Sequence, residues 1–598
     1  MRVFAAVLLG MSLVASPLLA RNAGETGKED TPVAATSASA VPDKPTAVKP
    51  EASPIESEMQ DLRSLVEEQR AELESQRATL KAQQLKMEAL EEKLGATPSE
   101  TAATPASAPV AASSAIAAEP SAATTSATPV GAASRIPAAN PTAQSGNDEV
   151  SPLQLRIGSA YITPVGFMDM TGEWSNHNRA SGIGTNFAGI PYGNTSYQTN
   201  LNEFLFSMQN SRVGFRVDAT VKGAHVIGYM ESDFLGNNPT NVAVSSNSNT
   251  MRSRLYWVDI RKSAWELLGG QTWSLATPNR VGVSPLPGDV FFSNNMDVNY
   301  QAGMVWGRIP EIRVAYHFPS DKAAFAIALD GPQQYAGGTN GSTAPTFPAS
   351  LNGVYGSTGA ANELSNGNQT VGVPNRAPDI IAKFVLDPSR RMHFEVGGVA
   401  RFFQLYNPIS ATHFSATGGG GFVNLDVEIF KGFRLLTHNF WSDGGGRYIF
   451  GQAPDLMARP DGSISLIHSD STVDGFEYTH RNTTLFAYYG LVYIGRNVEA
   501  DTNGCNIGYG FGPSSSSLTG CTSPSSGQNR SIQEPTLGFN QYLWRDGKYG
   551  ALSLIGQYSY LSRNPWYVAT GQPRNAHLGM AFLDLRYTLP GSAPTLGK

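Results

Sequence analysis

The sequence predicts an all-β transmembrane barrel of about 16 antiparallel strands, preceded by an α-helical coiled coil and a disordered linker. Three observations carry that reading. Beyond residue 152, stretches of roughly ten residues alternate strictly between apolar and polar side chains. Tight polar turns and long Gly/Ser/Asn-rich segments take turns in joining those stretches, and upstream of them runs a heptad seam of roughly six repeats. The alternation is plainest from Arg212 to Val221. Val213, Phe215, Val217, Ala219 and Val221 fall on one face, which suits lipid, and Arg212, Arg216, Asp218 and Thr220 on the other, which suits water.

Taken in order, residues 1–20 run from Met1-Arg2 through an apolar core to Leu18-Leu19-Ala20, the pattern of a secretory signal peptide. Residues 21–54 are rich in Ala, Thr, Pro and Lys, too little apolar surface to fold. Residues 55–95 form the coiled coil. Its spacing of four and three passes through Met59, Leu62, Val66, Leu73, Leu80, Met87, Leu90 and Leu94, with Gln69, Gln76 and Gln83 as a polar centre that can set register and strand number. In a parallel assembly Glu58 faces Arg63 of a neighbouring copy, Glu72 faces Arg77 and Lys86 faces Glu91, all attractive. Gly95 and Pro98 end the helix, and residues 96–151 are an Ala/Pro/Ser/Thr-rich tether.

The barrel is expected over residues 152–590, with 591–598 as a tail. Seven short connections are expected: Lys222-Gly223, Arg261 to Ala264, Pro319 to Lys322, Asp387 to Arg391, Lys431-Gly432, His480 to Thr483 and Arg545 to Lys548. Eight longer ones fall near 172–200, 235–251, 275–299, 331–376, 403–419, 443–471, 495–530 and 561–574. Phe325, Ile327 and Leu329 alternate with alanines, and Val423, Leu425 and Val427 with Asn424, Asp426 and Glu428. Tyr488, Tyr489, Tyr493, Tyr542, Tyr558, Tyr560 and Tyr587 lie towards strand ends, where interface girdles sit.

The formal charge of -6 belongs to the N-terminal region: residues 1–151 hold 12 Lys+Arg against 19 Asp+Glu, which leaves the barrel near neutral. Nothing in that balance suits nucleic acid. Cys505 and Cys521 lie in one loop-like stretch of an exported chain and are expected to form a disulfide. No metal-ligand histidine spacing, phosphate-cradling Gly loop or Gly-x-Ser-x-Gly elbow occurs, so neither an enzyme nor a cofactor is expected. His413 with Ser415 and His468 with Ser469 are read as chance neighbours in loops.

With signal segment, coiled coil, tether and sixteen strands in that order, the chain resembles the DcaP-like outer-membrane porins, and more distantly the phosphate-selective porins. The local carriers are Asn210-Ser211-Arg212-Val213-Gly214-Phe215, Glu231-Ser232-Asp233-Phe234 and Gly270-Gln271-Thr272-Trp273-Ser274. It departs at the end: such porins usually finish on an aromatic residue, whereas here Tyr587 is followed by Thr588 to Lys598. The resemblance implies a homotrimer in the outer membrane, its N-terminal region in the periplasm, passing small hydrophilic solutes or ions.

It further implies that the loop from about Leu275 to Asn299, with Arg280, Asp289 and Asp297, folds inward as a constriction. Facing it, Arg212, Arg216, Arg252, Arg254, Arg308 and Arg313 are assigned to the lumen side of their strands. Arginine rings favour anions, so an anion preference is expected, and the resemblance implies small organic carboxylates as the anions. Glu231, Asp233, Asp379, Glu395 and Asp426 share that side, so cross-wall ion pairs are the competing role for each arginine. The competing function is a structural anchor that spaces or tethers the membrane to peptidoglycan through the coil.

Overall fold

The computed structural model describes residues 153–590 except 179–181, 188, 193–196, 238–247, 287–294, 298–299, 338–342, 352–375, 513–520, 522–527 and 569, together with Lys81. The signal segment, the coiled-coil core residues, the tether, Asp289 and the tail therefore lie outside the described residues. No described helix is long and apolar enough to cross a membrane, which leaves crossing by strands open.

Among the described residues a closed antiparallel barrel of sixteen strands forms. Its strands are β1 (Ala160–Ser175), β2 in two segments (Glu203–Ser207 and Arg212–Val221), β3 (Ala224–Asp233), β4 (Arg252–Lys262), β5 (Trp265–Trp273), β6 (Arg308–His317), β7 (Ala323–Asp330) and β8 (Asp379–Ser389). They continue as β9 (Met392–Asn407), β10 (Thr412–Phe430), β11 (Phe433–Asp443), β12 (His468–His480), β13 (Thr483–Ile494), β14 (Asn529–Asp546), β15 (Gly550–Pro565) and β16 (Ala576–Thr588). Neighbours in sequence pair antiparallel, and β1 closes the ring on β16 with Phe167 opposite Thr588 and Ser175 opposite Met580. Strand β2 is split by a bulge. Ser207 sits opposite Thr171 and Arg212 opposite Phe167, so β2 carries one residue more than β1 over that interval.

All seven expected tight turns fall where the polarity break placed them, at one end of the barrel. Lys222 and Gly223 both have positive φ, 51° and 77°, the geometry of a two-residue hairpin turn whose twist matches its strands. At the long-loop end one expectation fails. The connection expected near 403–419 is only residues 408–411, because β9 and β10 run on for 16 and 19 residues. A tilted strand needs only about 9–11 residues to cross a bilayer, so this hairpin extends past the apolar band. There the polarity of the two faces inverts: Phe403, Leu405, Phe414 and Ala416 pack inward in one apolar cluster, while His413, Ser415 and Thr417 are exposed on the outside. For the same reason His413, Ser415, His468 and Ser469 lie in strands rather than in loops.

The outward faces are apolar and exposed, as at Met170, Phe206, Phe215, Ile312, Ile327 and Leu537. Aromatic side chains gather near the short turns, where Trp265 packs edge-on to Tyr316 and Phe430 stacks on Phe433 with ring centroids 4.8 Å apart. Tyr489, Tyr558 and Tyr560 face outward as expected. Tyr488 and Tyr542 do not: both are buried on the inner face. Tyr488 and Tyr489 are adjacent, and a strand sends adjacent side chains to opposite faces.

The long-loop end is packed from within. Phe187 of the loop after β1, Leu275 and Met296 of the loop after β5, Tyr448 and Met457 of the loop after β11, and Tyr509 of the loop after β13 join wall residues such as Ile532 in one buried cluster. Cys505 and Cys521 are joined by a disulfide in the loop after β13.

Candidate functional site

The described residues of the loop between β5 and β6, 274–286, 295–297 and 300–307, reach into the barrel interior and are fastened to the wall on several sides. Asn279 N donates to Glu395 Oε1 on β9 at 2.9 Å, and Gly282 N to Asp387 Oδ2 on β8 at 2.8 Å. Met296 N donates to Gln557 Oε1 on β15 at 2.7 Å, and Ala302 N to Glu534 Oε2 on β14 at 2.7 Å. Arg280 reaches Glu477 on β12 at 2.6 Å. Asp297 is fully buried and accepts hydrogen bonds from the Thr185 backbone, at 3.2 Å, and from the Thr185 hydroxyl, which ties this loop to the one after β1.

The wall that this loop leans on is small. Ala324, Ala326 and Ala328 on the inner face of β7 are almost completely buried, which leaves room for the loop's entry strand-end and its apolar residues. Gly490 on β13 is held bare by contact: a Cβ there would lie 1.9 Å from the Ala302 carbonyl oxygen.

Charged residues collect where the loop leaves and rejoins the wall. Arg254 donates from Nε to Glu231 Oε1 at 2.8 Å and from Nη1 to Asp233 Oδ2 at 2.5 Å. Arg252 forks onto the same Asp233 carboxylate at 3.0 and 2.8 Å, and Arg212 stands 3.6 Å from Glu231. The hydroxyl of Tyr300, from the crossing loop, accepts from Arg212 at 3.1 Å. Arg254 and Arg308 lie 5.8 and 5.9 Å from the centroid of the Trp273 ring, within range of a cation–π attraction. Four guanidiniums thus share two carboxylates, and two positive charges are left over. Burial pushes the Tyr300 phenol up, but Arg212, Arg254 and Arg308 together pull it further the other way, so its pKa falls below its ordinary value.

The arginines assigned to the lumen do not form one ladder. Arg216 is bound to Asp218 on its own strand at 2.9 Å, and Arg313 to Glu311 at 2.5 Å, both buried towards other parts of the wall. Arg308 and Arg313 stand five apart in β6, so a regular strand cannot turn both to one face. Arg308 joins the cluster because it is the first residue of its strand, next to the loop. Among the described residues Arg308 has no carboxylate within ion-pair distance, whereas the other five candidate arginines do.

A second buried cluster went unnoticed in the sequence. Arg401 on β9 binds Asp379 Oδ2 at 3.0 Å and Asp455 Oδ1 at 2.8 Å, and donates to the carbonyls of Gly444 and Gln333 at 2.5 and 2.6 Å. One guanidinium thereby pins the loops after β7 and β11 to the wall. The only signal was that Arg401 and Asp379 share a face; which loops they hold depends on distant chain segments. Removing one partner of such a buried pair strands the others, at a cost of about 3–5 kcal/mol. Arg401→Ala is therefore expected to lower the thermal unfolding midpoint of the detergent-folded barrel clearly, as read by circular dichroism, and an unchanged midpoint would refute the clamp.

A closed sixteen-strand antiparallel barrel with an apolar exterior, short turns at one end and an inward loop is a membrane-channel architecture. The outer membrane channel DcaP of Acinetobacter baumannii superposes on the chain with a TM-score of 0.51 at 14% identity, covering 72% of this chain and 98% of that one. An anion-selective porin from Comamonas acidovorans gives 0.40 at 10% identity, with 72% and 100% covered, and Salmonella typhi OmpF in complex with daunomycin 0.38 at 8%, with 73% and 100% covered. The fold is that of the DcaP channel; the last two TM-scores are too low to bear on this chain. No protein-family model and no curated protein matches the chain.

Proposed function

We propose that the chain is an outer-membrane porin, a water-filled channel for passive diffusion of small hydrophilic solutes, which favours small anions such as organic carboxylates. The observation that carries the anion preference is the surplus of guanidinium groups around Tyr300 and Trp273. Arginine suits that task because its planar fork matches a carboxylate and keeps its charge at any relevant pH. In this reading the long loops face outward from the cell, the N-terminal region lies in the periplasm, and three copies assemble. The test is planar-bilayer conductance of the purified protein across a salt gradient. A reversal potential of the anion-selective sign supports the proposal, and a cation-selective one overturns the preference while leaving the channel.

The second reading, an anchor to the cell wall, is favoured by the heptad seam and long tether. Deletion of residues 21–150 separates the two. The porin reading expects unit conductance to persist unchanged in the deleted protein; a full-length protein that is folded yet silent would favour the anchor.

A further inference from the structure

The outer wall is not apolar all the way round. On β11 the outward positions above Leu435 are Thr437, Asn439 and Trp441, and on β12 those above Phe476 are Asp474, Thr472 and Asp470. Their inward neighbours Leu436, His438, Phe440 and Val473 are buried, which fixes the outward direction of this set. The register places Thr437 opposite Asp474 and Asn439 opposite Thr472, so the polar side chains form one patch. It continues to β13 and β14, where outward Tyr489 donates to Gln533 at 3.2 Å.

Depth makes the patch costly. Asp474 stands six residues from the strand end at His480, beyond the exposed aromatics Phe476 and Tyr478. At about 2.5 Å of height per residue in a tilted strand, that is roughly 15 Å from the turn, inside an apolar band about 25 Å tall. An acid facing lipid at that depth is unfavourable, before Asn439 and the threonines are considered. A wall so composed fits protein contact, where polar groups find partners.

Next to the patch lies a trough lined by glycine and alanine. Gly398 on β9 pairs with Gly421 on β10, and Ala400 with Gly419, all on the outward face. The barrel's own backbone requires glycine at Gly419, where a Cβ would lie 2.4 Å from the Val399 carbonyl oxygen, and crowds Gly398, but at Gly421 a Cβ would meet only the Gly397 carbonyl, at an ordinary 3.7 Å, so the barrel does not demand glycine at that position. Small residues let a second backbone approach closely.

We propose that the outer face of β9 to β13 is where a second copy of this chain packs, the polar patch meeting polar groups of the next copy and the glycine trough letting the two walls approach closely. A closed rotational ring has each copy offer different surfaces to its two neighbours, and this stretch of wall carries two such surfaces side by side. The occupant is the same chain because its heptad seam, with attractive cross-pairs such as Glu58 to Arg63, already calls for further copies. The inference rests on the oligomeric reading above and adds which face is used.

The test uses the full chain, purified and reconstituted alone in vesicles, with the native disulfide kept oxidised. A fluorophore is placed at Asn439→Cys or, as a control on the apolar face, at Leu583→Cys, and a brominated lipid serves as quencher. Light scattering in detergent gives the copy number. A three-copy mass, with the Leu583 site strongly quenched and the Asn439 site largely protected, supports the proposal. Adding Gly421→Trp, which the barrel can accommodate, should then expose the Asn439 site to quenching. A three-copy mass with equal quenching at both sites overturns the choice of face and leaves the oligomer standing. A one-copy mass with both sites quenched overturns both.

Discussion

Reversing two charges, Arg252→Glu with Arg308→Glu, is expected to turn the channel from anion-preferring to cation-preferring. These two are the arginines whose removal costs the fold least. Arg252 has a side chain 38% exposed and shares Asp233 with Arg254, which still neutralises it, and Arg308 pairs with no described carboxylate. The change takes the cluster from two positive charges in excess to two negative. In water-like surroundings a unit charge at about 6 Å is worth ~0.7 kcal/mol, so an excess of two enriches anions about tenfold and depletes cations about tenfold. The variant should show a bias of similar size and opposite sign. Reversal potentials measured at low salt, where screening is weakest, read it directly. A potential that keeps its sign would mean that selection is made elsewhere along the lumen.

Gly490→Ala should loosen the crossing loop while sparing the barrel. The added Cβ would stand 1.9 Å from the Ala302 carbonyl oxygen, a distance no adjustment of a flexible side chain can relieve because the obstacle is backbone. Its displacement also disturbs the bonds on either side: Gln301 Nε2 to the Glu534 carbonyl at 2.5 Å, Ala302 N to Glu534 Oε2 at 2.7 Å, and Gly303 N to Gln452 Oε1 at 3.1 Å. Overpacking of this kind costs about 1–3 kcal/mol, enough to populate an undocked loop but small against a closed barrel. Single-channel records of the variant should show larger unit conductance with frequent switching between levels. Conductance identical to the parent would show that the loop does not set the narrowest point.

Much of the barrel was legible in the sequence because the bilayer imposes a rule on every strand that crosses it. Where the rule applies, alternation placed Val213, Phe215, Ile327 and Leu425 outside and Glu231, Asp233, Glu395 and Asp426 inside, and the structure agrees. Where it ceases, reading fails for a physical reason. The β9–β10 hairpin beyond the membrane turns its apolar side chains inward and its polar ones outward, the reverse of a crossing strand, so it looks like a loop. The arginine cluster was half legible: parity gives a side chain's face, but not that Arg216 would be taken by Asp218 or that Arg308 would escape its strand's parity at the first residue. Tyr300, which gathers Arg212 and Arg254, carries no sequence signal, since a loop has no period to read. The Arg401 clamp was hidden for a related reason: its partners Asp379 and Asp455 stand far apart in sequence and meet only when the loops fold in.

The wall grips the crossing loop at five points by its peptide N–H groups. Glu311, Glu395, Asp387, Gln557 and Glu534 accept from the backbones of Leu275, Asn279, Gly282, Met296 and Ala302, and Gln452 of the loop after β11 accepts from Gly303. Every residue but proline offers that same donor. At those positions the side chains of the loop are therefore exempt from the duty of holding it in place, which Ser274, Arg280 and Gln301 still share. Such a barrel is a chassis: its filter can be rewritten residue by residue, by evolution or by an engineer, while the fastening stays as it was.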